Sequence, residues 1–250
     1  MFNSYLRPGK GVSKNEKPRN GKEQFFFVVG TNLRKLFFIN IINLMAFVPL
    51  AIFLMCIKNE LNISEGYSYI YDILSFVIIV ICGIPPVSSG INYVMLLFAE
   101  NEPFFTSDIF DAIKNNIKQS MVVFIINIIA VYVFSVNYKF YFVAEMGSTP
   151  MKPLFYVAFI LFLMMNMYVY PLMLKYKLSV FAVYKKAFVF TLLLLPQNLV
   201  MLILISLFGA LCFFLNTILG YALAGFVFFA FASLAMNIFS CRMIKKYSVS

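Results

Sequence analysis

Residues 83–120 read GIPPVSSGINYVMLLFAENEPFFTSDIFDAIKNNIKQS, and the fold class follows from how this stretch changes character. It leaves one apolar run through Gly83, Pro85, Pro86 and Gly90, re-enters apolar sequence, then breaks out into an acid-rich loop. That loop holds Glu100, Glu102, Asp108 and Asp111, with Lys114 and Lys118 behind it, and a further apolar run begins at once. Adjacent prolines remove two backbone donors and the flanking glycines loosen the helix, so a helix over 73–99 is expected to be kinked. Backbone groups freed at membrane depth must find partners in protein or in a watery cavity. Broken helices are also how many carriers build a midplane site. Pro85, Pro86, Ser88, Ser89, Gly90 and Asn92 therefore form a candidate solute or kink site, the kink being the simpler reading.

Downstream, Pro103 ends the preceding helix, and Thr106 or Ser107 is placed to cap the next, with Asp108 in its first turn. Ile109, Phe110, Ile113 and Ile117 fall at helical spacing, with Asp111, Lys114 and Lys118 elsewhere. The pattern predicts an amphipathic helix on the cytoplasmic membrane surface or docked to a partner. Its candidate contact residues are Asp108, Phe110, Lys114, Asn116, Lys118 and Ser120. A lone carboxylate pair such as Asp108 and Asp111, without His or a metal partner, is poor support for acid–base chemistry.

The rest of the chain has little polar sequence. Of its 250 residues 62% are hydrophobic and 12% charged, against roughly a quarter charged in soluble domains. Mean hydropathy is +0.90, and the surface of a water-soluble globule cannot be covered from this composition. The net charge of +10 reads as loop topology, not as a nucleic-acid footprint. Cys56, Cys82, Cys212 and Cys241 stand singly and there is no His, so neither paired zinc ligands nor a disulfide framework is indicated. Cys56 and Cys82, in or beside apolar runs, read as buried small hydrophobes. With no nucleophile motif and no phosphate loop, the sequence implies no cofactor, no metal and no enzyme activity.

Six apolar runs are long enough to span a bilayer as helices, at about 36–57, 73–99, 120–138, 154–174, 192–215 and 217–239. Residues 1–24 read as a disordered basic tail, 25–246 as one membrane domain and 247–250 as a short tail. Phe25 to Lys35 suits an interfacial helix or the first turns of the first span. Asn40 and Asn43 share a face that turns toward other helices. Pro196, Gln197 and Asn198 join a kinked lead-in helix to the fifth span. Placing the N-terminus inside puts every basic residue except Lys58, Lys139 and Lys152, of 20 in all, on the cytoplasmic side, as the positive-inside rule requires. The expectation is an all-α bundle of six transmembrane helices, with the lipid bilayer as its first partner. It is multi-pass in the cell membrane with both termini cytoplasmic. Echoes between RKLFFINIINL and KQSMVVFIINI suggest three helical hairpins.

Several of these residues carry a family likeness. The segment SSGINYVMLLFAENEPFFTSDIFDAIKNNIKQS, with Pro86, Gly90, Tyr93, Val94, Glu102, Phe105, Ser107, Asp108, Phe110, Lys114, Asn116, Gln119 and Ser120, resembles the marked stretch of the YesL family of bacterial membrane proteins. MYVYPLMLKYKLSVFAVYKKAF is similar to a second stretch, with Pro171, Leu172, Lys185 and Ala187 in place. Met95, Leu96 and Ile117 depart from it, where the family often has a basic residue after Tyr-Val and a Trp after the motif Asn. The resemblance spans nearly the whole chain. It implies a multi-span protein associated with carbohydrate uptake, a helper of a sugar-transport system or of other membrane proteins. The alternative is a stand-alone small-solute carrier with its site at the broken second helix.

Overall fold

The computed structural model describes residues 19–60, 87–144, 151–214 and 227–248. The described residues form seven α-helices: α1 (Gly21–Glu60), α2 (Val87–Glu100), α3 (Thr106–Tyr138), α4 (Met151–Tyr176), α5 (Val180–Leu193), α6 (Leu195–Phe214) and α7 (Phe229–Ser248). A single π turn, Lys139–Val143, extends α3. Among the described residues three helical stretches are long and apolar enough to cross a membrane: Gly21–Ile42, Ser107–Val143 and Met151–Tyr176. A fourth is formed if the bent pair Val180–Leu193 and Leu195–Leu211, which meet at 95°, is one broken span.

The surface is that of a protein solvated by lipid. On α6, Asn198, Leu202, Ile205 and Gly209 are buried at helical spacing, while Val200, Leu204, Leu207 and Leu211 are each more than half exposed. Such a face would be a severe liability in water. In lipid it is neutral, because acyl chains are as apolar as the side chains they touch. The same reasoning corrects the expectation for Cys56, which is exposed while Cys241 is buried. Cys82 lies outside the described residues.

α4 is the central helix. It touches α2, α3, α5, α6 and α7, and most of its length is enclosed. Two cores flank it and share α2 and α7. One gathers Tyr168, Met173, Val183, Leu202 and Phe228, and the other Leu36, Ile39, Val94, Ile109 and Leu234. Hydrophobic burial does not drive helices together inside a bilayer, so close approach and interhelical hydrogen bonds must. α7 turns small or polar residues inward at Ala230, Ser233, Asn237 and Ser240. Asn40 of α1 accepts from the Ala230 amide at 2.7 Å and donates to the Val227 carbonyl at 3.2 Å. It thereby ties the first described helix to the start of the last. The inward turn expected of Asn40 is what is seen. Among the described residues α2 packs on α3 and on α7, and α4 on α5.

Three boundaries differ from the sequence reading. Helix α1 begins at Gly21, inside the stretch expected to be a disordered tail, and Gln24 is 3% exposed. The segment from Phe25 forms the first turns of α1, bent at Asn32 (φ −123°, ψ 22°). Here the Thr31 hydroxyl donates to the Phe27 carbonyl at 2.8 Å, a back-bond that bends helices. The expected surface helix at 107–118 and the span at 120–138 are one continuous helix, α3. No Gly or Pro separates them, so nothing stops propagation. At the α3 start the Asp108 carboxylate accepts from the Phe105 amide at 2.7 Å. The expected kink at 83–86 lies outside the described residues.

Pro171 sits inside α4 and has no N–H for the Met167 carbonyl four residues back. The Ser240 hydroxyl of α7 donates to that carbonyl at 2.9 Å, and Ser240 is fully buried. An intrahelical defect is therefore satisfied by a neighbouring helix. Ser240→Ala should destabilise by about 1–2 kcal/mol, at the upper end for interhelical bonds in bilayers. In a Pro171→Ala background the Met167 carbonyl regains a backbone donor, and the same change should be worth under about 0.6 kcal/mol. A double-mutant cycle of unfolding in mixed micelles measures the difference; equal Ser240 effects in both backgrounds would refute the pairing.

Candidate functional site

The candidate positions at the broken helix divide. Pro85 and Pro86 lie outside the described residues. Ser88, Ser89 and Gly90 are buried in the first turn of α2. A Cβ at Gly90 would stand 2.8 Å from both Cγ2 and the backbone oxygen of Ile109, so α2 and α3 touch there at backbone distance. Asn92, one turn on, donates to the Ser88 carbonyl at 2.8 Å, and its Oδ1 accepts from Asn237 Nδ2 at 2.7 Å. Asn237 also donates to the Ser233 carbonyl at 2.8 Å. These groups make a polar seam between α2 and α7. Asn237 was not singled out in the sequence, although it is the one amide in the last apolar run before the basic end, which was a usable signal.

The candidate partner-contact residues spread around α3. Phe110 is 66% exposed, and Lys114 and Lys118 are exposed with it. Asp108 is engaged in the cap. Asn116 donates to its own helix at Ala112, 2.9 Å away. Ser120 is fully buried and its hydroxyl has no hydrogen-bond partner among the described residues. Of the apolar stripe read from the sequence, Ile109 is buried, whereas Phe110 and Ile117 face outward. Deeper on α3, both amide atoms of the buried Asn127 also lack a partner among the described residues, an arrangement that costs about 1–3 kcal/mol.

The most organised polar cluster is one the sequence reading did not assemble. α2 ends in a Schellman motif. Asn101 adopts left-handed φ 61°, its amide reaches the Phe98 carbonyl at 3.4 Å, and the Glu102 amide reaches that of Leu97 at 2.9 Å. Asn tolerates this conformation better than most residues. Gln24 of α1 donates to the Phe98 carbonyl and to Asn101 Oδ1, each at 2.7 Å. Glu100, the last residue of α2, forms a salt bridge with Lys175 at the end of α4 and a second, at 3.0 Å, with Lys245 in the last turn of α7. Arg242 donates to the Arg19 carbonyl just before α1.

Three helix C-termini thus meet at one end of the bundle, together with the start of α1. Each terminus carries a partial negative charge, and Glu100 adds a full one. Lys175 and Lys245 neutralise both. Burial alone would raise the Glu100 pKa, but hydrogen bonds and charge from the two ammonium groups outweigh it and hold the carboxyl below its ordinary value. At neutral pH Glu100 is an ionised strut and not a proton donor. Because the folded pKa is depressed, its contribution to stability is complete above the unfolded value near 4.5 and is lost as pH falls through the folded value. Melting temperature, followed by circular dichroism in detergent, should fall on acidification below about pH 4.5, and Glu100→Gln should flatten that part of the profile. An unchanged acid limb in the variant would place the acid sensitivity elsewhere.

Among the described residues no group of three His, Cys, Asp or Glu side chains is gathered as for a metal ion. Comparison of the chain with protein-family models, with curated proteins and with solved structures finds no match.

Proposed function

We propose that the chain is a six-span protein of the cytoplasmic membrane, with both termini in the cytoplasm. It acts as an accessory subunit of carbohydrate uptake or utilisation, with no catalytic step of its own. One contrast carries the accessory role. The α2 groups that a solute would need are buried in helix packing at Ser88, Ser89 and Gly90 or, at the half-buried Asn92, engaged by Asn237, while α3 leaves Phe110 exposed beside Lys114 and Lys118. An aromatic flanked by cations on a rigid helix suits contact with another membrane protein. The topology is supported by the meeting of Arg19, Glu100, Lys175 and Lys245 at one end, since chain segments that return to the same end make an even number of crossings. The carbohydrate assignment rests on the resemblance to the YesL family alone.

The test is purification from native membranes in gentle detergent with a photo-crosslinking residue in place of Phe110. Recovery of a cross-linked component of a sugar-transport system is expected. Recovery of the chain alone would overturn the reading. Sugar flux into proteoliposomes that contain only this chain would favour the carrier, with its site at the broken second helix.

A further inference from the structure

A recess of about 460 Å³ opens between α4, α5 and α7, within the roughly 300–1,000 Å³ typical of ligand sites. Leu172, Phe190 and Ile244 line its buried floor, Val189 and Leu193 form its exposed wall, and among the described residues the only charged ones lining it are Lys185 and Lys186. Both lysines are exposed, and neither pairs with a carboxylate among the described residues. Tyr176 and Tyr247 also line it, and amphipathic rings of this kind settle at headgroup depth. The recess lies beside Lys175 and Lys245, at the end of the bundle where cations collect. The outward side of α5 is lipid-like, with Phe181 82% exposed and Leu192 48%.

We infer that this recess is a binding site for one anionic phospholipid, with an acyl chain along the exposed Val189 and Leu193, over the buried Leu172, Phe190 and Ile244, and the phosphate against the ammonium groups of Lys185 and Lys186. An apolar wall with two uncompensated cations fits an amphiphile that is negative at one end and hydrocarbon at the other. A soluble anion would leave the wall bare, and a neutral lipid would leave the lysines unmatched. Basic pockets between helix ends recognise acidic headgroups on this principle, at about 1 kcal/mol per lysine. The aromatic floor is held rigid, because Phe190 stacks on the buried Tyr168 with ring centroids 5.5 Å apart. The inference is independent of the accessory-subunit reading and requires only that the chain resides in a bilayer.

The experiment uses the full chain in nanodiscs that contain phosphatidylglycerol and phosphatidylcholine in equal amounts, followed by native mass spectrometry of retained lipid. One phosphatidylglycerol per chain should survive where phosphatidylcholine does not. Lys185→Gln with Lys186→Gln should lower that retention roughly thirtyfold, the factor expected for two lysines. Lys177→Gln, an exposed lysine outside the recess, should leave it unchanged. Val189→Trp fills the recess with both lysines intact and should also abolish retention; the melting temperature of each variant shows that it is folded. Equal retention of the two lipids would overturn the inference. So would equal losses from Lys177→Gln, or displacement of the lipid by millimolar inorganic phosphate alone.

Discussion

Gly90→Ala destabilises the protein by about 1–3 kcal/mol, the penalty for overpacking a well-fitted contact, although the same change in an open helix would stabilise it by up to about 1 kcal/mol. The sign is decided by what the new methyl meets. The Ile109 side chain can rotate, but the Ile109 backbone oxygen, also 2.8 Å away, cannot move unless α3 moves. Separation of α2 from α3 would loosen the core around Val94, Phe98 and Ile109. Adding Ile109→Ala removes one side-chain clash and leaves those with the Ile109 carbonyl and with Ile113 Cγ1 at 2.9 Å, so rescue should be partial. A larger residue such as Gly90→Leu should prevent recovery of folded protein. Unfolding in mixed micelles measures the series. A melting temperature for Gly90→Ala at or above that of the parent would show that the two helices are not in backbone contact.

The same pair of helices shows what could be read from the sequence and what could not. In sequence Gly90 reads as loosening a helix, whereas its role is to admit a neighbour, and no local pattern tells one from the other. The inward turn of Asn40 was legible, because an amide in an apolar run has few places to go. Its partner, the amide of a residue 190 positions later, was not. Asn127 carries the same local signal and ends without a partner among the described residues. Glu100 reads in the sequence as a loop acid, because its neighbours in sequence are a loop. Its partners, Lys175 and Lys245, are distant in sequence and near only because three helices end together. Exposure was the least legible property. A core leucine and a lipid-facing leucine are chemically equivalent in a bilayer, which is why an apolar neighbourhood does not reveal that Cys56 is exposed and why Leu202 and Leu204 look alike until α6 is seen packed.

The break between α5 and α6 was the most legible interior feature, and its chemistry leads to the second large effect. Pro196 has no N–H for the Leu192 carbonyl, and Leu194 departs from helical geometry at φ −114°. A broken helix in lipid leaves carbonyls without water to receive them. Asn198 meets part of that need, donating from Nδ2 at 3.3 Å to the Thr191 carbonyl and to the Phe190 carbonyl, which also accepts from the Leu194 amide, while its Oδ1 accepts from the Tyr168 hydroxyl. Asn198, Thr191 and Tyr168 are all fully buried. Asn198→Ala therefore strips one helix end of its cap and leaves a buried phenol without an acceptor, a loss of about 2–4 kcal/mol when orphaned groups are counted at 1–3 kcal/mol each. Tyr168→Phe removes the phenol with its demand and should cost only about 1 kcal/mol. In the Tyr168→Phe background, Asn198→Ala should cost less than in the parent, because the phenol no longer suffers. If Asn198→Ala instead unfolds within about 0.5 kcal/mol of the parent, the size of an ordinary surface substitution, the 95° turn is held by side-chain packing and the amide is incidental to it.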